Sequence, residues 1–75
     1  IIIVKQNPAK NFVTISGLKK GNTLTLLDIS GTVMTSYKVS GEQLVLPVEK
    51  YPTGFYVIKV VDNDNQVSSF KIIKE

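Results

Sequence analysis

The segment that decides the fold, residues 51–61, reads YPTGFYVIKVV, a turn signal followed by a run of β-branched and aromatic residues. Pro and Gly close together are typical of a turn, because proline sets its own φ and glycine tolerates a positive φ. The residues after Gly54 suit a pleated, half-buried surface. The segment therefore predicts a turn at Pro52-Thr53-Gly54 and a β-strand over Phe55–Val61.

Similar turn signals recur along the rest of the chain at short, even intervals, and the segments between them are too short for helices. We predict seven strands, near Ile1–Lys5, Phe12–Ser16, Thr23–Asp28, Thr32–Lys38, Gln43–Leu46, Phe55–Val61 and Val67–Lys74. Short strands joined by regular turns predict an all-β fold, specifically an immunoglobulin-like antiparallel β-sandwich.

Alternation of apolar and polar residues predicts which side chains point into the sandwich. Two segments, Phe55–Val61 and Phe70–Ile73, are apolar on both faces, which favours central strands. The alternative is that Val57 and Ile73 form an exposed patch that a partner covers. The predicted core residues are Leu24, Leu26, Val33, Thr35, Tyr37, Leu44, Leu46, Tyr56, Ile58, Val60, Phe70 and Ile72.

Length and composition limit the possible functions. The chain has 75 residues, enough for one domain with a small core, and it lacks both cysteine and histidine, so we expect no disulfide and no zinc site. The net charge of +3 comes from dispersed lysines, which indicates solubility and not nucleic-acid binding. The longest apolar run, Ile1–Val4, is far shorter than the ~20 residues of a membrane helix. We expect residues 1–75 to be a single domain excised from a longer secreted protein.

The sequence offers little for catalysis. Nucleophilic sites need a base beside the nucleophile, and the acidic residues lie near turns, so we expect neither an enzyme nor a cofactor. The cluster Asp62-Asn63-Asp64-Asn65 supplies oxygen atoms that Ca²⁺ prefers. The same residue types favour a β-hairpin turn, which is the interpretation we prefer, with a calcium site as the open alternative.

Two short motifs are turn signals with a clear physical basis. In Asn7-Pro8-Ala9, the proline ring fixes one backbone angle and thereby how the next strand enters the sandwich. Near the middle of the chain, the Asp28 carboxylate can accept backbone hydrogen bonds in a hairpin, and Gly31 can adopt a positive φ. Either motif alone would suit many β proteins.

Together with residues 51–60 and the closing stretch 70–74, FKIIK, these motifs resemble the type A C-terminal sorting domain of type IX (Por) secretion cargo. The third motif is similar to the family's Leu-Pro-x-Gly-x-Tyr-x-Val-Lys-Val strand, although Tyr51 replaces the usual leucine. In the second, the family's Leu–Asp spacing is met by Leu26 and Asp28. Four motifs in the family's order cover nearly the whole chain, so the chain is identified as a member of this family.

The resemblance implies a secretion signal that directs cargo through the periplasm and across the outer membrane of a Gram-negative cell, to the cell surface or the medium. Its expected partners are the type IX translocon and shuttle proteins, with a surface sortase that removes the domain in many members. We expect recognition of a folded β surface. The predicted signal residues are Gly54, Tyr56, Lys59, Phe70, Lys71, Ile73 and Lys74, and the predicted motif turn residues are Asn7, Pro8, Ala9, Asp28 and Gly31.

Alternatives from other classes stay open at this point. The first is an immunoglobulin-like accessory module that binds protein or carbohydrate, although the absence of Trp counts against a carbohydrate face. The second is a structural spacer. An unpaired edge strand would also allow a weak homodimer through strand addition.

Overall fold

Seven strands form all the regular structure of the computed structural model, which describes residues 1–75. All seven strands predicted from the turn spacing are present, with small differences at their ends. The structure has no helix with the length and apolarity needed to cross a membrane. The strands are β1 (Ile3–Lys5), β2 (Phe12–Ser16), β3 (Thr23–Asp28), β4 (Val33–Lys38), β5 (Gln43–Pro47), β6 (Gly54–Val61) and β7 (Val67–Lys74).

The strands form two antiparallel sheets, one in the order β1-β2-β5 and the other in the order β4-β3-β6-β7. Strand β4 lies beside β3 and shares a sheet with β6 and β7. This arrangement is that of an immunoglobulin-type sandwich in which an added strand extends the sheet of strands C, F and G. The predicted all-β, immunoglobulin-like sandwich is therefore confirmed.

The core lies between the two sheets and follows the predicted alternation on most strands. Tyr37, Leu44 and Phe70 are half-buried and pack against it. Strand β2 and the connections contribute buried residues that the alternation analysis did not include: Ala9, Val13, Ile15, Leu18, Val39 and Val48. The predicted core residues that are buried are Leu24, Leu26, Leu46, Tyr56, Ile58, Val60 and Ile72.

The prediction that Val33 points inward is wrong, and a β-bulge explains why. Leu26 lies opposite Thr35, whereas the next residue, Leu27, lies opposite Val33, so Met34 is an extra residue in β4. One inserted residue reverses which face the following side chains occupy. Val33 is consequently 57% exposed, and Met34 packs against the core in its place.

The doubly apolar segments occupy different places in the sheet. Strand β6 lies between β3 and β7, so the central position predicted for Phe55–Val61 is confirmed. Strand β7 lies at the edge of the sheet, so the same prediction for Phe70–Ile73 is wrong. Because no second layer covers the far side of this sheet, Ile73 remains 41% exposed.

Candidate functional site

The candidate site is the surface of the four-stranded sheet that points away from β1, β2 and β5, which we call the outer face. The third and fourth sequence motifs meet there because β6 and β7 pair along their full length, from Gly54 opposite Lys74 to Val61 opposite Val67. Residues that are distant in sequence thereby become cross-strand neighbours on one surface.

An apolar stripe crosses the outer face from one edge of the sheet to the other. Val33, Leu27 and Val57 lie in one row on neighbouring strands. Phe55 and Ile73 form the adjoining row, and Phe55 is 45% exposed. These five side chains define the apolar stripe, which sequence analysis anticipated only at Val57 and Ile73.

Lysines border the apolar stripe. Lys71 lies opposite Val57, and its Nζ lies 4.4 Å from the centre of the Phe55 ring, a cation–π distance. Lys59 lies in the next row, opposite Ser69. The outward side chains of the four strands include Lys59 and Lys71, one from each motif strand, and no carboxylate.

The predicted signal residues divide between the two faces of the sheet. Lys59, Lys71 and Ile73 lie on the outer face and are exposed. Tyr56 and Lys74 point toward the core side, where they are only 5% and 8% exposed. The Lys74 Nζ donates a 2.8 Å hydrogen bond to the carbonyl oxygen of Glu75, the next residue. Phe70 is half-buried on the same side.

Tyr56 connects the start of β6 to the turn before it. Its hydroxyl donates a 2.6 Å hydrogen bond to the carbonyl oxygen of Pro52, four residues earlier. This is the arrangement of a tyrosine corner, which immunoglobulin-like sandwiches have at the equivalent strand. The Tyr51 ring lies 6.0 Å from that of Tyr56, so the aromatic residue at position 51 packs against the same corner.

Position 54 requires glycine because of its backbone conformation, and not because a larger side chain would lack space. Its φ is +153°, which side chains disfavour, and a Cβ built there would contact nothing within 4 Å. This position is where the chain leaves the tyrosine corner and enters β6. The backbone conformation of Gly54 thus sets the direction in which the chain enters β6, and with it the position of the outer-face residues of that strand.

The Asn7 side chain acts as a substitute strand partner for β7. Its Oδ1 accepts a 3.0 Å hydrogen bond from the N–H of Ile73, and its Nδ2 donates one of 3.2 Å to the carbonyl oxygen of Lys71. The sequence indicated a turn at this position and did not reveal the side-chain pairing. The Asn7–Pro8 peptide bond is cis.

Backbone bonds continue the same contact at Ala9. Its N–H donates to the carbonyl oxygen of Ile73 at 2.8 Å, and its own carbonyl accepts the N–H of Glu75 at 2.7 Å. Ala9 is buried and forms a parallel bridge with Lys74. The first and last sequence motifs are therefore joined, and they cover the C-terminal half of the free edge of β7.

Asp28 organises the hairpin turn between β3 and β4. Its Oδ1 accepts hydrogen bonds from the Ser30 hydroxyl at 2.7 Å and from the N–H groups of Ser30 and Thr32, both at 2.9 Å. The Ser30 hydroxyl, followed by the Thr32 N–H, lowers the pKa of the Asp28 carboxyl. Gly31 has a φ of +90°, so both predicted turn residues serve this hairpin.

The turn between β6 and β7 repeats this design. The Asp62 Oδ1 accepts the N–H groups of Asp64 at 2.8 Å and Gln66 at 2.9 Å, and Asn65 holds the positive φ of 64°. These bonds support the hairpin interpretation of the cluster. The structure contains no group of three or more Asp, Glu, His or Cys side chains arranged to hold a metal ion.

A separate open depression of about 560 Å³ lies at the basic turn Gly17–Lys20, beside Gly41 and Glu42. Its charged groups come from Lys19, Lys20 and Glu42. The glycines of this turn lead into strand β3, so the turn lacks the helix N-terminus that a phosphate cradle uses. It therefore lacks the arrangement of a phosphate-binding loop.

Comparison with known proteins identifies the relationship of this chain. The family described as secretion system C-terminal sorting domain matches residues 7–75, which include all four sequence motifs and strands β2 to β7. No curated protein matches the chain. The comparison gives no support to an accessory module that binds protein or carbohydrate.

Proposed function

This chain belongs to the family of secretion system C-terminal sorting domains, the signals of type IX secretion, and from that premise we propose that the secretion machinery reads the folded domain on the outer face of β6 and β7. The family function is export of a cargo protein across the outer membrane, to the cell surface or the medium. The proposal concerns which surface carries the signal.

The pairing of β6 with β7 is the observation that carries the proposal. It places Lys59, Lys71 and Ile73 on one solvent-exposed surface, although two of them come from the last strand and one from the strand before it. Tyr56 and Lys74 face the other way. We infer that the first three contact the machinery, and that the buried motif residues hold the strands that present them.

Gly54, Phe70 and the turn motifs act through the fold in this proposal. Gly54 adopts a backbone angle that side chains disfavour, Phe70 packs against the core, and Asn7 holds the edge of β7. Each of these residues would influence export by setting the geometry of the outer face. Their substitution therefore tests folding before it tests recognition.

The finer steps of export are part of the same proposal. We infer that residues 1–75 fold as a single domain at the end of a longer cargo protein, reach the periplasm with it, and are there recognised by type IX translocon and shuttle proteins. A surface sortase that removes the domain fits this sequence of events. The domain itself performs no catalysis in this scheme.

A reporter fusion tests the proposal directly. Residues 1–75 are fused behind a periplasm-directed reporter in a bacterium with a type IX system and in a matched strain that lacks the translocon. The test variant is Lys71→Thr with Ile73→Thr, since threonine suits a strand. The matched control is Lys50→Thr with Val45→Thr, which changes exposed residues outside the outer face.

The parent fusion and the control should reach the surface or medium only in the strain with the system, while the test variant stays in the periplasm. Protease resistance of the periplasmic fraction establishes that the retained variant is folded. Equal export of the test variant and the parent would reject the outer face of β6 and β7 as the signal. Retention of the parent in the strain with the system would reject export by residues 1–75 altogether.

A further inference from the structure

We propose that the outer face binds an apolar protein surface bordered by carboxylates, and that β3 and β4 take part in this contact through Leu27 and Val33. The inference rests on the proposed function and specifies the chemistry of the partner. It also extends the recognised surface beyond the two strands that carry the sequence motifs.

The continuity of the apolar stripe distinguishes the outer face from the opposite surface of the sandwich. Val33, Leu27 and Val57 are direct cross-strand neighbours, so their side chains form an unbroken row over three strands. Phe55 and Ile73 continue the stripe to the sheet edge. Contiguous apolar surface of this kind is typical of a protein-binding site.

Exposed apolar residues on the other sheet do not form such a stripe. Ile3 lies opposite Ser16, and Val45 lies opposite Thr14, so polar neighbours separate them. Phe12 is the exception, because it lies opposite Pro47. The contrast assigns the docking surface to the four-stranded sheet.

The charge on the outer face determines the chemistry that would complement it. Lys38, Lys59 and Lys71 point outward from three different strands, and no outward residue of the four strands is acidic. The acids nearest in sequence are Asp28, which ends β3 opposite the inward-facing Tyr56, and Asp62 and Glu75, which lie beyond the strand ends. A partner with carboxylates around an apolar centre would match both the apolar stripe and the lysines around it. Such complementarity favours fast and specific association.

The position of Lys71 links the apolar stripe to the positive charge of the outer face. Its Nζ lies over the Phe55 ring at 4.4 Å, so the exposed charge is held at the border of the apolar stripe. A carboxylate on the partner could approach this ammonium while an apolar side chain covers Val57. The contact therefore has an apolar centre and a charged rim, as protein interfaces commonly do.

A protein surface fits this face better than an anionic membrane. Membrane-binding segments concentrate about four to eight basic residues and often add Trp at the interface. Here the lysines are spread over separate strands, the chain has no Trp, and the apolar side chains lie flat on a sheet.

The experiment measures binding of the labelled chain of residues 1–75 to three probes by co-sedimentation. The probes are outer membranes from a bacterium with a type IX system, outer membranes from its translocon-deficient strain, and vesicles made from lipids and lipopolysaccharide extracted from the first strain. Variants are Leu27→Thr with Val33→Thr, Lys59→Glu with Lys71→Glu, and the control Val45→Thr with Lys50→Glu. Thermal unfolding of each variant establishes that it is folded.

We expect saturable binding only to the membranes that contain the system, and weaker binding as the salt concentration rises. The Leu27/Val33 variant should lose about tenfold in affinity, as when contacts near the centre of an interface are removed. The Lys59/Lys71 variant should lose at least as much, because it sets two negative charges against the carboxylates of the partner. The control should bind like the parent.

Equal binding to the extracted-lipid vesicles would overturn the inference in favour of a membrane ligand. Unchanged affinity of the folded Leu27/Val33 variant would also overturn it, even if the Lys71/Ile73 substitutions still block export, and the proposed function would then survive. If the Lys71/Ile73 substitutions leave export unchanged, the proposed function fails as well, so the two failures are distinguishable.

Discussion

The Asn7 Oδ1 accepts a 3.0 Å hydrogen bond from the backbone N–H of Ile73, across a separation of 66 residues. Its Nδ2 donates to the carbonyl oxygen of Lys71. One side-chain amide thus satisfies a donor and an acceptor on the free edge of β7, next to the backbone bonds of Ala9, which also discourages pairing with another chain. The N-terminal and C-terminal motifs of the domain therefore act as one structural unit.

Removing the Asn7 amide should destabilise the domain. Asn7→Ala loses both hydrogen bonds and should lower the free energy of unfolding by about 1–2 kcal/mol, and Asn7→Asp should also destabilise the domain, because it keeps the acceptor but sets a carboxylate oxygen against the Lys71 carbonyl oxygen. Urea unfolding measures both, with the exposed Asn11→Ala as control. Wild-type stability of Asn7→Ala would show that these bonds do not contribute.

The tyrosine corner makes a second stability prediction. Tyr56→Phe removes the 2.6 Å hydrogen bond to the Pro52 carbonyl while keeping the ring, so the free energy of unfolding should fall by about 1 kcal/mol. Tyr51→Phe is the matched control, because the Tyr51 hydroxyl makes no hydrogen bond within the chain and this change should be nearly neutral. Thermal unfolding of the two variants would contradict the prediction if both lost equal stability.

The two equivalent hairpins predict which residues position 31 accepts. Gly31 and Asn65 hold the same position in their turns, with φ of 90° and 64°. Gly31→Asn should therefore cost little, because Asn tolerates this conformation, whereas Gly31→Val should cost at least about 1–2 kcal/mol through backbone strain. Chemical denaturation compares them, and equal losses would argue against a strained backbone at this position.

The hydrogen bonds to Asp28 predict how the stability of the domain responds to acid. Its pKa lies below the ordinary value of 3.8, so the unfolded chain binds this proton more tightly than the folded chain. The stabilisation is fully present above 3.8 and is lost as the pH falls through the depressed folded-state pKa. Asp28→Asn should therefore show a smaller loss of stability over this acid range than the wild type.

Ser30→Ala provides the intermediate case for the same measurement. It removes the hydroxyl that lowers the Asp28 pKa most and leaves the backbone donors in place. The pH dependence of its unfolding free energy should lie between those of the wild type and Asp28→Asn. A curve identical to the wild type would assign the effect to the backbone bonds alone.

Much of the candidate site could be predicted from local sequence. Residues 51–61 predicted the turn and the strand β6, and the apolar pattern at Val57 and Ile73 indicated an exposed patch as an alternative. Strict alternation misplaced Val33 because β4 contains a β-bulge. The position of the extra residue depends on the pairing of β4 with β3 and cannot be predicted from the local sequence. The contribution of Val33 to the apolar stripe was missed for that reason. Leu27 was missed because only its pairing with Val33 and Val57 joins it to the stripe.

The sequence by itself determined the all-β class, the seven strands, the turn residues and the family, because alternation and turn chemistry are local properties of neighbouring residues. Only the tertiary structure decided which strands share a sheet, that the strand containing Phe70–Ile73 lies at a sheet edge, and that Asn7 meets Ile73. The physical reason is that these features depend on pairing between distant segments. Alternation places Lys71 and Lys74, three residues apart, on opposite faces of β7, but only the pairing of β6 with β7 brings Lys71 over the Phe55 ring while Lys74 is buried beneath the sheet.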